Sequence, residues 1–159
     1  MQPIEELRYL ILAAQREGNR LFAEALRPLG LTPSQAEVLR VLQDHEPLSL
    51  IALGDLLVCE TGSPSRLVQG LVEDDLVERL PSATDKRMVT LTLTNLGREI
   101  AAKVGALESR FYEANAGLMK DARLPELLEV LWHFVEGKPA GMALARRIGR
   151  ETEGEMLAR

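Results

Sequence analysis

The spacing of apolar residues changes from a helical to a strand-like period near residue 76, and this change strongly limits the folds available. Before it, apolar residues recur at steps of three and four in three short segments, which begin at Thr32, Ser49 and Ser63. After it, residues 88–93 alternate with three apolar residues on one face, as in a half-buried strand. Residues 76–80 are a second strand candidate before a polar turn. The sequence therefore predicts three helices followed by a β-hairpin.

Capping residues support the starts of two of these helices. Thr32 is a good N-cap residue and Pro33 fits the first helical turn. Ser63 and Pro64 offer the same two roles at the start of the third helix. We expect the middle helix to extend to about Val58. The connections are short, so the three helices should pack as one unit.

A long helix is predicted on each side of this unit. Residues 4–29 carry one narrow apolar stripe at steps of three and four, made by Ile4, Leu7, Ile11, Ala14, Gly18, Leu21 and Ala25. A second helix should run from Thr94 to about Met119, and a last one from Leu124 to Gly137. The stripe suits packing against a second copy of the chain and packing against its own domain equally well.

Three helices followed by a hairpin is the order of a winged helix-turn-helix, so the predicted fold is mainly α with a small β-hairpin wing. In such a fold the third helix can enter a major groove of DNA. Its outward face carries short or forked polar side chains that suit phosphates and base edges, namely Ser63, Ser65, Arg66 and Gln69. Arg87, near the hairpin tip, suits a narrow minor groove. The alternative for the helix alone is a solvated surface, but the attached hairpin favours DNA binding.

Charge opposes this interpretation. The formal net charge is −5, and residues 31–97 hold five basic and ten acidic side chains. Nucleic-acid binders usually carry a basic footprint. Residues 137–150 hold four basic residues and no acid. This tail is a candidate for compensating DNA contacts, although a solvated charge cluster is the simpler explanation.

Several segments at characteristic spacings together resemble the MarR family of transcriptional regulators. They are LGLTPSQA at 29–36, LGDLL at 53–57, SPSRLV at 63–68, LVER at 76–79, TDKR at 84–87 and LTLTNLG at 91–97. The resemblance is close from Leu29 to Gly97, and the flanking helices fit the family's architecture to about Val135. It implies a homodimer that reads the two halves of a palindrome in double-stranded DNA.

The resemblance also implies roles for individual residues. The expected DNA-binding residues are Ser63, Pro64, Ser65, Arg66, Gln69, Lys86 and Arg87. Asp85 is expected to brace the wing, with Arg79 either as its partner or as a phosphate contact. The expected dimer interface includes Ile4, Leu7, Ile11, Leu128, Leu131 and Trp132.

The implied organisation has dimerisation helices at 1–30 and 95–137, a DNA-binding lobe at 31–94, and a flexible tail at 138–159 that is basic and then acidic. The chain departs from the family's common pattern at Gly70, Asp74, Asp75 and Leu80, where basic residues or a turn glycine are frequent. These changes lower the positive charge of the lobe and therefore its expected affinity for phosphates.

The resemblance further implies control by a small phenolic or anionic effector between the dimer helices and the lobe. Tyr9, Arg16 and Arg20 are candidate polar groups there. Two other classes of function stay open: a winged-helix protein-interaction module without DNA binding, and a redox-responsive regulator acting through Cys59, the single cysteine.

The sequence lacks motifs of other classes. It has no Gly-rich phosphate loop and no Gly-x-Ser-x-Gly motif, so we expect no enzymatic activity. The two histidines and one cysteine are too few for a convincing metal site, and no cofactor is expected. No apolar run approaches the length of a membrane helix and no targeting segment is visible, so we expect a cytoplasmic protein without membrane contact.

Overall fold

A computed structural model describes residues 2–59, 63–82, 88–114 and 116–150. Within these ranges the chain is mainly helical, with one two-stranded antiparallel sheet. In chain order the elements are α1 (Pro3–Leu26), a single 3-10 turn (Arg27–Leu29), α2 (Pro33–His45), α3 (Leu50–Gly54), α4 (Pro64–Glu73), β1 (Val77–Pro81), β2 (Val89–Leu93), α5 (Asn95–Ala114), α6 (Ala116–Met119), α7 (Leu124–Val135) and α8 (Pro139–Arg147). The predicted winged helix-turn-helix with long flanking helices is confirmed.

Helix α2 lies at the centre of the core and begins where the sequence predicts. The Thr32 hydroxyl accepts the backbone N–H of Gln35 at 3.2 Å, and the Gln35 side chain accepts the backbone N–H of Thr32 at 2.9 Å. This reciprocal capping box satisfies two amides that the helix itself leaves unbonded. Leu26 of α1 and Ala101 and Val104 of α5 contribute to the core around α2. The other buried side chains of this core come from the lobe: Leu31, Ala36, Val38, Leu39, Val41, Leu42, Leu53, Leu57, Val68, Leu71, Leu76, Val77, Leu91 and Leu93.

The wing is a hairpin anchored at its base in this core. Val77 pairs with Leu93 and Pro81 with Val89, in the antiparallel register expected of a hairpin. Leu91 and Leu93 are buried, while Val89, near the tip, is exposed. Leu48 forms a bridge to Leu91, with its N–H donating at 3.2 Å and its carbonyl accepting at 2.7 Å. The inner half of the wing is therefore fixed to the lobe.

A close backbone approach joins the wing to helix α5. The Thr94 hydroxyl accepts the N–H of Gly97 at 2.9 Å and donates to the carbonyl of Asp75 at 2.7 Å. A Cβ on Gly97 would lie within 3.0 Å of the Leu76 carbonyl, so only glycine fits there. The Thr94 hydroxyl therefore caps α5, and the helix leaves the lobe in a fixed direction.

The flanking helices are apolar but little buried within this chain. In α1, every residue of which the structure describes, Leu26 alone is buried. In the fully described helix α7 no side chain is buried, although apolar residues dominate it. None of the helices in the described ranges is both long and apolar enough to span a membrane.

Helix α3 is shorter than expected. It ends at Gly54 rather than near Val58, because the next amides bond elsewhere. Leu56 and Leu57 donate to carbonyls only three residues back, and the N–H groups of Val58 and Cys59 donate to the side chain of Glu37.

The tail also differs from the expectation of a flexible segment. Residues 139–147 form helix α8, in which Gly141, Ala143 and Ala145 are buried. Small residues at steps of two bury little apolar area each, so they gave no strong helical stripe in the sequence. Because these side chains are small, α8 can pack closely against the rest of the chain.

Candidate nucleic-acid interface

Helix α4 presents a polar face to solvent and an apolar face to the core. Val68 and Leu71 are buried, whereas Ser65, Arg66 and Gln69 are exposed. This division follows the helical spacing, which places residues three and four apart on one side. The three exposed residues that the sequence singled out therefore lie together on one accessible face.

The start of α4 is less regular than predicted. Ser63 occupies the N-cap position and Pro64 the first turn, and both are half-buried. Ser63 is therefore the N-cap residue, as predicted, but within the described part of the chain its hydroxyl accepts no capping hydrogen bond. Amide groups at the first turn of α4 are consequently not satisfied by that hydroxyl.

Arg79 links the wing to helix α4. Its Nη1 donates to Gln69 Oε1 at 2.9 Å, and Gln69 Nε2 donates to Glu73 Oε1 at 2.8 Å. The amide of Gln69 is thus held from both sides by charged partners. Lys86, Arg87 and Asp85, which the sequence assigned to DNA contact and wing bracing, lie outside the described residues.

The C-terminal end of α4 carries an unusual backbone conformation at Asp75. Its φ is 55°, in the left-handed region where glycine is favoured. The N–H of Asp75 donates to the Val72 carbonyl and that of Leu76 to the Leu71 carbonyl, which is a Schellman motif. This geometry gives a physical reason for a turn glycine at this position, and the chain has an acid instead.

Acidic side chains flank the polar face of α4. Glu73, Asp74 and Asp75 are all exposed at its C-terminal end. Arg66 and Arg79, both exposed, are the cations that the described part of α4 and β1 contributes. Attraction for phosphates therefore depends on few cations, and the carboxylates reduce it.

Cys59 does not have the properties of a reactive thiol. It is half-buried between the turn and α2. Burial, together with the neighbouring Glu37 carboxylate, raises the pKa of the thiol to about 11. A thiol with such a pKa stays protonated near neutral pH and is a poor nucleophile. This opposes the redox hypothesis. In the described ranges there is no cluster of three or more histidine, cysteine, aspartate or glutamate side chains suited to a metal.

Two crevices lie between the N-terminal segment and α5. One has a volume of about 240 Å³ and is lined by Gly18, Asn19, Phe22, Glu108, Phe111 and Tyr112. The other, also about 240 Å³, is lined by Ala25, Pro28, Leu29, Lys103, Ala106, Leu107 and Arg110. Of the residues the structure describes, Tyr9, Arg16 and Arg20 line neither crevice. Arg20 instead pairs with Glu17 at 3.0 Å and Glu24 at 2.9 Å along the exposed side of α1.

Sequence reasoning missed the contacts of Glu37 and Arg147. Glu37 lies on α2 and Arg147 on α8, and Arg147 Nη1 donates to Glu37 Oε1 at 2.6 Å. The two residues are 110 positions apart. A single sequence gives no signal for such a pair.

Comparisons with known proteins agree with this geometry. The MarR family profile matches residues 29–88. The transcriptional regulator MgrA of Staphylococcus aureus is 27% identical over 128 residues, which cover 80% of this chain and 86% of MgrA. A crystal structure of mutant MarR from E. coli complexed with operator DNA is 30% identical, covers 83% of this chain and 94% of that chain, and superposes with a TM-score of 0.69.

A third comparison concerns the fold alone. A structure of Bordetella bronchiseptica BpsR, whose DNA binding is regulated by 6-hydroxynicotinic acid, has a TM-score of 0.73 at 19% identity. It covers 87% of this chain and 99% of that chain. The order of helices, the anchored wing and the match to E. coli MarR over most of both chains lead to one conclusion: this chain belongs to the MarR family of DNA-binding transcriptional regulators.

Proposed function

We propose that two copies of this chain bind a palindromic operator and that a small effector controls the binding. In each copy α4 enters the major groove and the wing approaches the adjacent minor groove. Such a protein acts in the cytoplasm, on duplex DNA, with no cofactor. The observation that carries the proposal is the exposed polar face of α4, where Ser65, Arg66 and Gln69 face solvent while the apolar face of the same helix is buried in the core.

The other DNA contacts follow from position. Ser63 and Pro64 stand at the start of α4, the end of a recognition helix that lies nearest the base edges. Lys86 and Arg87, predicted from the sequence at the wing tip, supply further positive charge. Because the lobe carries an excess of acidic residues, these cations should contribute a larger share of its attraction for DNA phosphates than they would in a basic lobe.

Dimerisation is supported by apolar side chains that the single chain leaves exposed. Ile4 is 64% exposed, Ile11 38% and Leu128 48%. Leu7, Leu131 and Trp132 are half-buried. A row of large apolar residues on two long helices is more than a soluble monomer usually exposes. Pairing of α1 and α7 with their counterparts in a second copy would cover them.

The two crevices suit different effectors. Phe22, Phe111 and Tyr112 give the first crevice aromatic walls, and the Glu108 carboxylate beside them opposes an anion, which favours a neutral phenol. Lys103 and Arg110 give the second crevice positive charge, which favours an anion. Glu108 also pairs with Arg40 on α2 at 3.1 Å, so a ligand that moves this carboxylate would act on the lobe.

The proposal is tested by selecting duplexes from a random pool and footprinting the bound sequence. The expected result is two inverted half-sites about one helical turn apart, protected by a dimer. The variant Ile11→Glu should sediment as a monomer and lose the paired footprint, whereas Ile51→Glu, at a residue 79% exposed on α3, should remain a dimer. A single half-site bound by monomers would contradict the proposal.

Effector control is tested separately with a panel of phenols and aromatic carboxylic acids. A ligand that binds the free protein should raise its melting temperature and, if it controls binding, should also weaken binding to the selected duplex. Lys103→Ala should remove the response to carboxylic acids and leave the response to phenols. Absence of stabilisation by every compound in the panel would count against effector control.

A further inference from the structure

Helix α8 packs back onto the chain through its small residues. Gly141, Ala143 and Ala145 are buried, and a Cβ on Gly141 would lie within 3.0 Å of the Val135 carbonyl. At this point α8 and the end of α7 are therefore in backbone contact. The C-terminal helix has a fixed position rather than that of a solvated tail.

The turn that precedes α4 is held by a single carboxylate of α2. Glu37 Oε1 accepts the N–H of Val58 at 2.9 Å, and Glu37 Oε2 accepts the N–H of Cys59 at 2.9 Å. Hydrogen bonds to an ionised carboxylate are stronger than those between neutral groups. Two such bonds to consecutive amides fix the path of the chain as it leaves α3 toward the recognition helix.

Helix α8 supplies the positive charge for this carboxylate. Arg147 Nη1 donates to Glu37 Oε1 at 2.6 Å, and the side chain of Glu37 is only 14% exposed. The neighbouring Arg146 donates to the Asp55 carbonyl at 3.2 Å, just after α3. Arg146 thus contacts the segment between α3 and α4 directly, and Arg147 contacts the α2 carboxylate that holds this segment.

We propose that α8, Arg147 and Glu37 form a C-terminal brace that positions helix α4 for DNA. The inference rests on the proposed function, since it assigns the brace to DNA recognition. Arg147 and Glu37 are positioning residues that act through the turn at Val58 and Cys59. The tail therefore contributes to affinity through the lobe and not through phosphate contacts.

Salt dependence separates the brace from a direct DNA contact. A side chain that neutralises a phosphate changes the slope of log Kd against log salt, because its counterion release is lost with it. A positioning residue changes Kd by a similar factor at every salt concentration. The two roles therefore give different results with the same variants.

The experiment measures Kd for the selected duplex over a range of salt. Arg147→Met should weaken binding about fivefold with the slope unchanged. Glu37→Gln should weaken it by a similar factor, and adding Arg147→Met to it should have little further effect, because the pair acts as one unit. Arg147→Lys, which keeps the charge, should restore most of the affinity.

The matched control is Arg150→Met, which removes the same charge from the same tail. Arg150 lies over the Trp132 ring at 4.5 Å. Its loss should leave Kd within about twofold of the parent value. All variants are compared at a temperature where each is fully folded, so that a loss of affinity is not a loss of folded protein.

Amide hydrogen exchange of the free protein tests the brace without DNA. The N–H groups of Val58 and Cys59 should exchange faster in Glu37→Gln and Arg147→Met than in the parent and in Arg150→Met. If the parent bound no DNA, the proposed function would fail and this exchange would still report on the brace. Unchanged exchange, unchanged Kd, or a salt slope lowered by about one in Arg147→Met would each overturn the inference.

Discussion

Arg79 on strand β1 donates to Gln69 on helix α4 at 2.9 Å, so the wing and the exposed polar face of α4 share a hydrogen bond. Gln69 donates in turn to Glu73 at 2.8 Å. The carbonyl oxygen of the Gln69 amide and one of its N–H groups already form hydrogen bonds within the protein. Its remaining capacity for bases is small compared with that of the exposed guanidinium of Arg66.

We therefore expect the two α4 side chains to contribute unequally to DNA binding. Arg66→Ala should cost about 1–3 kcal/mol of binding free energy for the selected duplex. Gln69→Ala should cost less than about 1 kcal/mol, since much of its hydrogen bonding is internal. Titrations monitored by fluorescence anisotropy would measure both. A larger loss for Gln69→Ala than for Arg66→Ala would show that Gln69 exchanges its internal partners for bases.

Gly97 should be essential for stability because of its contact with the Leu76 backbone. Gly97→Ala should lower the free energy of unfolding by about 2–3 kcal/mol, since a backbone carbonyl must move to admit the methyl group. In Gly105→Ala, in the same helix, the nearest neighbour of the new methyl group is the flexible side chain of Arg40, so this substitution should raise stability by up to about 1 kcal/mol. Denaturant unfolding of both variants checks this. Equal effects of the two substitutions would contradict the account of the α5 junction.

Local sequence signals were sufficient to predict the elements that are determined mainly by residues close together in the sequence. The residues Thr32 and Pro33 predicted the start of α2, and the alternation over 88–93 predicted β2. Helix α8 was missed because Gly141 and its neighbours contribute close approach rather than apolar area. The contact of Arg147 with Glu37 was missed because it depends on the tertiary fold. The early end of α3 has the same cause, since Glu37 takes the amides that would have continued the helix.

Replacing Asp75 with glycine should stabilise the folded protein. Glycine adopts the left-handed conformation of residue 75 without the strain that a side chain adds there, which is about 1 kcal/mol. The greater conformational entropy of glycine in the unfolded chain offsets part of this gain. The expected net change is a stabilisation of about 0.5 kcal/mol. Asp74→Gly, at a φ of −83°, should instead destabilise by about 0.5–1 kcal/mol.

Both aspartate substitutions remove one negative charge from the C-terminal end of α4, so both should tighten DNA binding to a similar extent. Comparing the two variants separates backbone strain from charge. Thermal unfolding reports the first and anisotropy titrations report the second. Destabilisation by Asp75→Gly that matches Asp74→Gly would show that the positive φ is not strained.

Cys59 should react slowly with alkylating agents at neutral pH. Its pKa is raised to about 11, so the thiolate is a small fraction of the thiol below pH 10. The rate of alkylation by iodoacetamide should rise about tenfold per pH unit from pH 7 to 10, because the thiolate is the nucleophile. In denaturant the rate should level off at lower pH, near the ordinary thiol pKa. A plateau below pH 9 in the folded protein would revive the redox hypothesis.

The salt dependence of DNA binding tests the central claim most directly. The parent protein and Arg87→Ala are titrated with the selected duplex and with duplex DNA taken from the region next to the protein's own coding sequence, at several salt concentrations. The account predicts tight binding at low salt, a linear loss of log affinity with log salt, and a slope smaller by about one in Arg87→Ala. A folded dimer that binds neither duplex even at low salt would contradict it, and would favour a winged-helix module that recognises protein.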